Sequence, residues 1–285
     1  MNGNTTRATP TTGRPGLQRY GSWALVTGAS SGIGQALARR IAADGVNLVI
    51  AARRIDRLEA LADELRASDG VEVRTVQVDL STDDGVDLLD KAVADVDLGL
   101  VVANAGSAHP GAFLRTSIED QLDVIRLNVV TPLEMAHRLG GRLVEQGRGA
   151  LILTGSTSAF AGTAMLAGYA ATKSFVGVLA EGLNREWAGD GVDVVVVHPG
   201  PTRTEMVDME GVDFGRVPVA WMDPDQVAQA AVRGLGRRAV VIPGLANRIQ
   251  TFVFTRLMPR RAASAIWSTL MGRVTDPALQ ANPRP

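Results

Sequence analysis

The sequence predicts a doubly wound α/β fold: one parallel sheet of seven strands with helices on both faces, plus a helical extension at the carboxyl end. Two observations lead to it. Short, nearly continuous apolar runs alternate with longer amphipathic ones along most of the 285 residues. Those runs are rich in β-branched residues, as expected of strands covered on both faces, and strand–helix alternation implies a parallel sheet with right-handed crossovers.

Taken in order, "WALVT" (23–27), "VNLVIAA" (46–52), "VEVRTVQV" (71–78), "LGLVVANA" (98–105), "GALILTG" (149–155), "VDVVVVH" (192–198) and "RAVVIP" (238–243) read as the seven strands. Between the first two, "GIGQALARRIAADG" sets Ile33, Leu37 and Ile41 on one stripe and stops at Gly45. Between the next two, "RLEALADELRASDG" repeats the pattern with Leu58, Leu61 and Leu65. These elements define a domain over residues 21–244. Residues 1–20, rich in Thr, Gly, Pro and Asn, read as a mobile leader without the apolar core of a signal peptide. Residues 245–285 form a basic helical extension, either part of the same domain or an interaction element.

Composition narrows the function. A net charge of −1 offers no global attraction to nucleic acid, and the chain has no cysteine for disulfide or thiolate chemistry. No apolar run approaches the length of a membrane span, so a cytoplasmic protein is expected. Charge is unevenly placed, however. Gln226 to Thr275 holds eight arginines and no acid, so the remaining residues carry −9 to give the total of −1.

In doubly wound sheets, ligands bind at the carboxyl ends of the strands. The first strand runs through "TGASSGIG" (Thr27–Gly34) into a helix. Gly28 permits backbone angles closed to other residues, Gly32 lets the main chain approach a pyrophosphate, and Gly34 allows close helix–strand packing. The helix start then offers free N–H groups to the anion. The spacing is TGxxxGxG rather than GxGxxG. With "ANAG" (Ala103–Gly106) after the fourth strand and Tyr169-x-x-x-Lys173, it resembles the short-chain dehydrogenases/reductases, in their compact single-domain Rossmann-type branch. The resemblance covers roughly residues 22–244. Ala103 stands where many members carry Asn, and Thr172 where many carry Ser.

The resemblance implies an oxidoreductase that interconverts a carbonyl and a secondary alcohol with a nicotinamide dinucleotide. It implies cofactor contacts from the turn (Gly28, Ser30, Ser31, Gly32, Ile33, Gly34), from Asp79 and Leu80, and from Asn104, Ala105 and Gly106. Tyr169, Lys173, Pro199, Gly200, Thr202 and Thr204 complete that set. Asp79 also suits the cap of a following helix, as does Thr204. The second strand ends in "VIAARRID", with no acid and with Arg53 and Arg54 adjacent. Guanidinium groups accommodate a 2′-phosphate, so NADP(H) is expected over NAD(H), with Arg53 the primary contact. The alternative is that the arginines merely open a solvated helix.

A lysine four residues after a tyrosine shares its helix face and favours the phenolate, which would draw the phenol down from about 10. Such a pair also arises by chance. Asn128 and Ser156, at offsets resembling the family's tetrad, give it meaning. The resemblance assigns Tyr169 as general acid/base, Ser156 as donor to the substrate oxygen, Lys173 to the nicotinamide ribose, and Asn128 to a water relay through its effect on helix geometry. No metal is expected. His198 reads as structural, since the tyrosine already fills the acid/base role.

Substrate choice is expected between the sixth strand and the next helix, where Met206, Met209, Phe214, Val217, Val219, Trp221 and Met222 suit an apolar pocket; simple packing of a lid explains them equally. Phe160, Met165 and Leu166 would line its other side. An apolar small molecule follows, with a 3-oxoacyl thioester as the alternative and a cofactor-binding regulatory protein as the reading from another class. Homodimers or homotetramers are usual in the family. In the tail, Ile249, Phe252, Val253 and Leu257 recur at helical spacing beside Arg248, Arg256, Arg260 and Arg261, and Pro259 should split it into two helices. Three uses are open: covering the substrate entrance, a subunit contact, or peripheral membrane contact.

Overall fold

The computed structural model describes residues 16–208 and 211–281. Met209 and most of the leader therefore lie outside the described residues. Seven parallel strands, β1 (Trp23–Thr27), β2 (Asn47–Ala52), β3 (Val73–Gln77), β4 (Leu98–Ala103), β5 (Gly149–Thr154), β6 (Val192–Val197) and β7 (Val240–Val241), line up in the order β3-β2-β1-β4-β5-β6-β7. The order reverses between β1 and β4, so the crevice at their carboxyl ends is the place for a ligand.

The apolar runs of β1, β4 and β5 are buried at every residue, because helices cover both faces of the sheet. One core lies under α1 (Gly32–Ala42) and α2 (Ile55–Asp69), where Leu37, Ile41, Leu58, Leu61 and Leu65 interlock with Leu48 and Ile50. The other gathers Leu89 of α3 (Gly85–Ala92), Met135 and Leu139 around Leu25, Val101 and Leu151. No described helix is long and apolar enough to cross a membrane.

One boundary differs from the sequence reading. The leader ends before residue 20: Leu17–Arg19 forms a short helix, Leu17 and Tyr20 are buried, and the Tyr20 hydroxyl donates to Asp193 at 2.5 Å. That partner lies in β6, too far along the chain for a local pattern to reveal. The helical stretch over residues 118–145 is irregular, with π turns at Arg126–Val130 and Ala136–Gly140. Pro132 has no N–H for the Asn128 carbonyl four residues earlier, so the α ladder loses a bond where the first π turn meets the α segment Thr131–Met135.

As expected, Pro259 divides the tail. A helix at Leu245–Phe252 runs into a π turn, Val253–Leu257, and a second helix spans Arg260–Val274, followed by a single turn at Pro277–Gln280. Phe254 and Trp267 pack edge to face between the two, 5.8 Å apart.

Candidate active site

The glycine-rich turn takes the shape its glycines allow. Gly28 and Gly32 have positive φ, 65° and 56°. A Cβ on Gly34 would lie 2.2 Å from the Gly28 carbonyl oxygen, so α1 begins directly against the turn. Ser31 precedes α1 and makes no side-chain cap, which leaves the helix-start N–H groups free to face an anion. Thr27, whose part the sequence reading did not see, ties this turn to the next strand. Its hydroxyl donates to the Val102 carbonyl and accepts from the amides of Asn104 and Ala105, all within 3.2 Å.

A cleft of about 480 Å³ opens along these strand ends. Every cofactor residue expected from the sequence borders it except Gly34 and Gly200. Gly34 sits behind the turn. Gly200 is covered by Asn247 of the tail, whose side-chain atoms lie within 2.6 Å of where a Cβ would be.

At the end of β2 both arginines face the cleft. Arg54 reaches the hydroxyls of Ser30 and Ser31 at 3.1 and 3.0 Å, while Arg53 stays exposed. A carboxylate the sequence reading missed also comes here. Glu205, on the loop after β6, pairs with Arg54 at 2.8 Å and with Arg57, and the two guanidiniums hold it down at about 2. Beside that pair, Thr204 packs on Gly32, closing the loop over the phosphate turn. Thr204 makes no helix cap, and Thr202 turns its hydroxyl to the Gly200 carbonyl.

Asp79 does not cap α3, which starts at Gly85; it binds the Ser81 amide and hydroxyl at 2.9 and 2.7 Å instead. Burial works to raise its pKa, but the Ser81 bonds and nearby Arg53 outweigh that and hold the carboxyl below its usual range.

The four tetrad residues converge at the inner end. Lys173 is buried and its Nζ donates to the Thr154 carbonyl at 3.0 Å; burial draws it down to about 8. Its Nζ lies 5.7 Å from the centre of the Tyr169 ring. Asn128 is fully engaged, bonding the Ser107 amide and carbonyl at 2.9 Å and the Thr172 hydroxyl at 3.2 Å. Gly106 lets the turn after β4 slip between Asn128 and Lys173, since a Cβ there would sit 3.0 Å from the Asn128 Oδ1 and 3.3 Å from the lysine Nζ.

The expectation that Lys173 lowers the Tyr169 pKa is not met. Burial pushes the phenol up, and the opposing influence comes from the Ser156 hydroxyl. The amine is itself buried and bound to a carbonyl, so desolvation of the phenolate dominates.

Ser156 is set from two sides. The Ser158 hydroxyl donates to its Oγ at 2.8 Å, which leaves the Ser156 proton free to point into the site. Below it, the His198 ring fills a slot left by Gly155 and Gly177, with Nδ1 at 3.1 Å from the Ser156 amide and 2.9 Å from its carbonyl. Burial draws His198 down from 6.5 to about 4, so the ring is neutral at pH 7. Phe160 packs on this ring at 4.9 Å.

The expected lid residues also divide. Met206 borders the cofactor cleft, Met222 is buried against Asn247, and Trp221 packs on Phe214 and lines a neighbouring hollow with Thr204 and Glu205. A separate hollow of about 250 Å³ is lined by Phe113, Leu114, Ala164 and Met165 together with His109, Gln121 and, from the tail, Gln280; Gly168, the residue before Tyr169, reaches it and the tyrosine itself does not. The tail ties together the loops around it. Ser264 and Ser268 bond Gly162 and Ala164, the Leu279 carbonyl accepts from Ala112, and the Val274 carbonyl accepts from Asp213.

A dinucleotide fits this donor set: free helix-start amides for a pyrophosphate, guanidiniums at the adenosine end, and an ammonium and a phenol at the inner end.

Comparison with known proteins agrees with the geometry. A family model described as short chain dehydrogenase matches residues 22–212. The chain is similar to a 7beta-hydroxysteroid dehydrogenase of Clostridium sardiniense, 30% identical over 81% of this chain and 88% of the relative. It is also similar to a very-long-chain 3-oxoacyl-CoA reductase-like protein of Arabidopsis thaliana, 30% identical over 83% of this chain and 77% of the relative. Among solved structures, a short-chain dehydrogenase from Sphingobium yanoikuyae in complex with NADPH superposes with a TM-score of 0.75 at 36% identity, covering 82% of this chain and 93% of that one. The chain therefore belongs to the short-chain dehydrogenase family and is an oxidoreductase of the carbonyl/alcohol pair.

Proposed function

We propose that this oxidoreductase uses NADP(H) in preference to NAD(H), acts on a bulky apolar ketone or the corresponding secondary alcohol, and uses Tyr169 as its general acid/base. The observation that carries the reading is that Tyr169 and Lys173 border the cofactor cleft, with the Ser156 hydroxyl bonded to the tyrosine side chain.

When bound, the nicotinamide supplies or accepts the hydride. The protein's part is the oxygen and its proton. Ser156, its Oγ already accepting from Ser158, turns its own proton to the substrate oxygen and stabilises charge developing there. Tyr169, kept protonated at neutral pH by burial, gives its proton to that oxygen in reduction and takes one in oxidation. Lys173, at about 8, stays largely charged at neutral pH and is placed to bond the ribose. Asn128 holds Ser107 and Thr172, and so braces the turn after β4 against the tyrosine helix, Ala167–Glu186.

The NADP(H) preference rests on Arg53 and on Arg54 bound to Ser30 and Ser31, with no acid at the end of β2. The apolar substrate rests on Phe113, Leu114 and Met165, which line the hollow that Gly168 reaches, and on relatives whose names denote large apolar carbonyl or hydroxyl compounds. A homodimer is supported by Ile118, Leu122, Ile125, Leu133, Phe175 and Val178, all exposed on the 118–145 stretch and on the tyrosine helix.

The test is oxidation of NADPH and NADH against bulky ketones, diketones and 3-oxoacyl thioesters, with Tyr169→Phe alongside. NADPH-dependent turnover that falls about a thousandfold in the variant is expected. Turnover that survives in the variant removes Tyr169 from its role.

A further inference from the structure

We propose that the outward face of the carboxyl-terminal extension docks this enzyme on an anionic lipid bilayer. The helix Leu245–Phe252 and the turn that follows it are packed inside out. Their buried residues are polar, Asn247 at 3% exposure and Thr251 at 7%, and these face the body of the protein. Four of their apolar residues face outward, Leu245 at 65% exposure, Ile249 at 55%, Phe252 at 57% and Leu257 at 69%, while Val253 and Phe254 are half-buried. Four large side chains on successive turns of one short segment form a contiguous apolar strip, where a soluble surface normally scatters them singly.

The charge beside the strip says what covers it. Arg248, Arg256, Arg260 and Arg261 are exposed around the same segment, and among the described residues none forms an ion pair. Elsewhere on the molecule arginines do pair, as in Arg39–Glu64, Arg142–Asp90 and Arg148–Asp97. Within the tail itself no acid precedes Asp276. A second copy meeting the strip face to face would bring eight such guanidiniums together. An anionic bilayer satisfies both parts at once, taking the apolar strip below its headgroups and the guanidiniums among its phosphates, with the arginine stems snorkelling between. The helix is too short to span, so it lies in the plane of the interface.

The experiment is flotation of the full-length protein with vesicles of phosphatidylcholine alone or mixed with phosphatidylglycerol, at low and high salt. The protein is expected to float with the phosphatidylglycerol vesicles and to be released by salt. Ile249→Ser/Phe252→Ser should weaken the interaction at least about tenfold. Arg256→Gln/Arg260→Gln/Arg261→Gln should weaken it about a hundredfold. Both variants should keep the wild-type melting temperature and turnover. Wild-type protein that stays at the bottom of the gradient with anionic vesicles, or variants that float as it does, overturns the proposal. So does a dimer that Ile249→Ser/Phe252→Ser splits in sedimentation equilibrium, which assigns the strip to a second copy.

Discussion

His198→Asn is the substitution that most directly tests how the catalytic serine is held. The imidazole lies beneath Ser156, against both its amide and its carbonyl, in a slot that exists because Gly155 and Gly177 lack side chains. The ring is neutral there, its pKa drawn from 6.5 to about 4, first by burial and further by the charge on Lys173. Because the folded value is depressed, the unfolded chain binds this proton first as pH falls. The stability due to the neutral ring is full above 6.5 and is lost progressively down to about 4. The drop corresponds to about 3 kcal/mol, on a steepest slope of about 1.4 kcal/mol per pH step. Asparagine keeps an amide for the Ser156 backbone but cannot titrate. Urea unfolding of both proteins between about pH 7 and pH 4, at one fixed protein concentration, should show the variant about 1–3 kcal/mol less stable at pH 7 from the lost ring volume. The gap should then close as pH falls, because only the wild type loses the histidine contribution. Turnover should drop while the cofactor KM holds. Curves that stay parallel within about 0.5 kcal/mol across the range refute the argument that a buried neutral imidazole supports Ser156.

Three further outcomes are expected. Arg53→Ala should raise the KM for NADPH at least about tenfold and leave that for NADH nearly unchanged; equal losses refute the 2′-phosphate contact. Glu205→Gln should release Arg54 and Arg57 and lower the NADPH KM several-fold, whereas a rise would mean that the carboxylate positions those arginines rather than competing for them. Gly34→Ala puts a methyl 2.2 Å from the Gly28 carbonyl and should cost about 2–4 kcal/mol in urea unfolding together with dinucleotide affinity, while Gly182→Ala in the tyrosine helix, with nothing within 4 Å, should stabilise by about 0.5–1 kcal/mol.

Much of this molecule was legible because its signals are local. Each strand is a short apolar run covered on two faces, so its position shows in consecutive residues, and β1 begins and ends where "WALVT" does. The turn from Gly28 to Gly34 and the pair Tyr169–Lys173 are likewise local patterns whose geometry follows from spacing. The contacts that were missed act across long separations. Glu205 reaches back to Arg54 and Arg57, His198 reaches under Ser156, and Asp193 receives Tyr20. No local pattern marks such pairs, because the fold alone brings them together. The tyrosine's raised pKa was hidden for a related reason. Spacing reports that a lysine is near, but burial sets the sign, and burial is a property of the assembled site.

The tail carries the same argument further. Helical periodicity showed an apolar stripe through Ile249, Phe252 and Leu257, and such a stripe ordinarily turns toward the core. Periodicity fixes which residues share a face and leaves open which way that face looks. Here the direction is set by contacts that favour the polar side. Asn247 fits over Gly200, where a side chain on the glycine would collide with it, and its amide donates to the Pro243 carbonyl at 3.1 Å. An aliphatic residue at 247 would leave that carbonyl without its partner, so the asparagine goes in and the apolar stripe goes out. One buried amide thus couples two parts of the protein: the turn after β6 that borders the cofactor cleft, and the exposed strip flanked by arginines. Replacing Asn247 with leucine should therefore perturb cofactor KM and the strip's exposure together, read by NADPH titration and by protease nicking after the tail arginines. A change in one without the other would break that coupling.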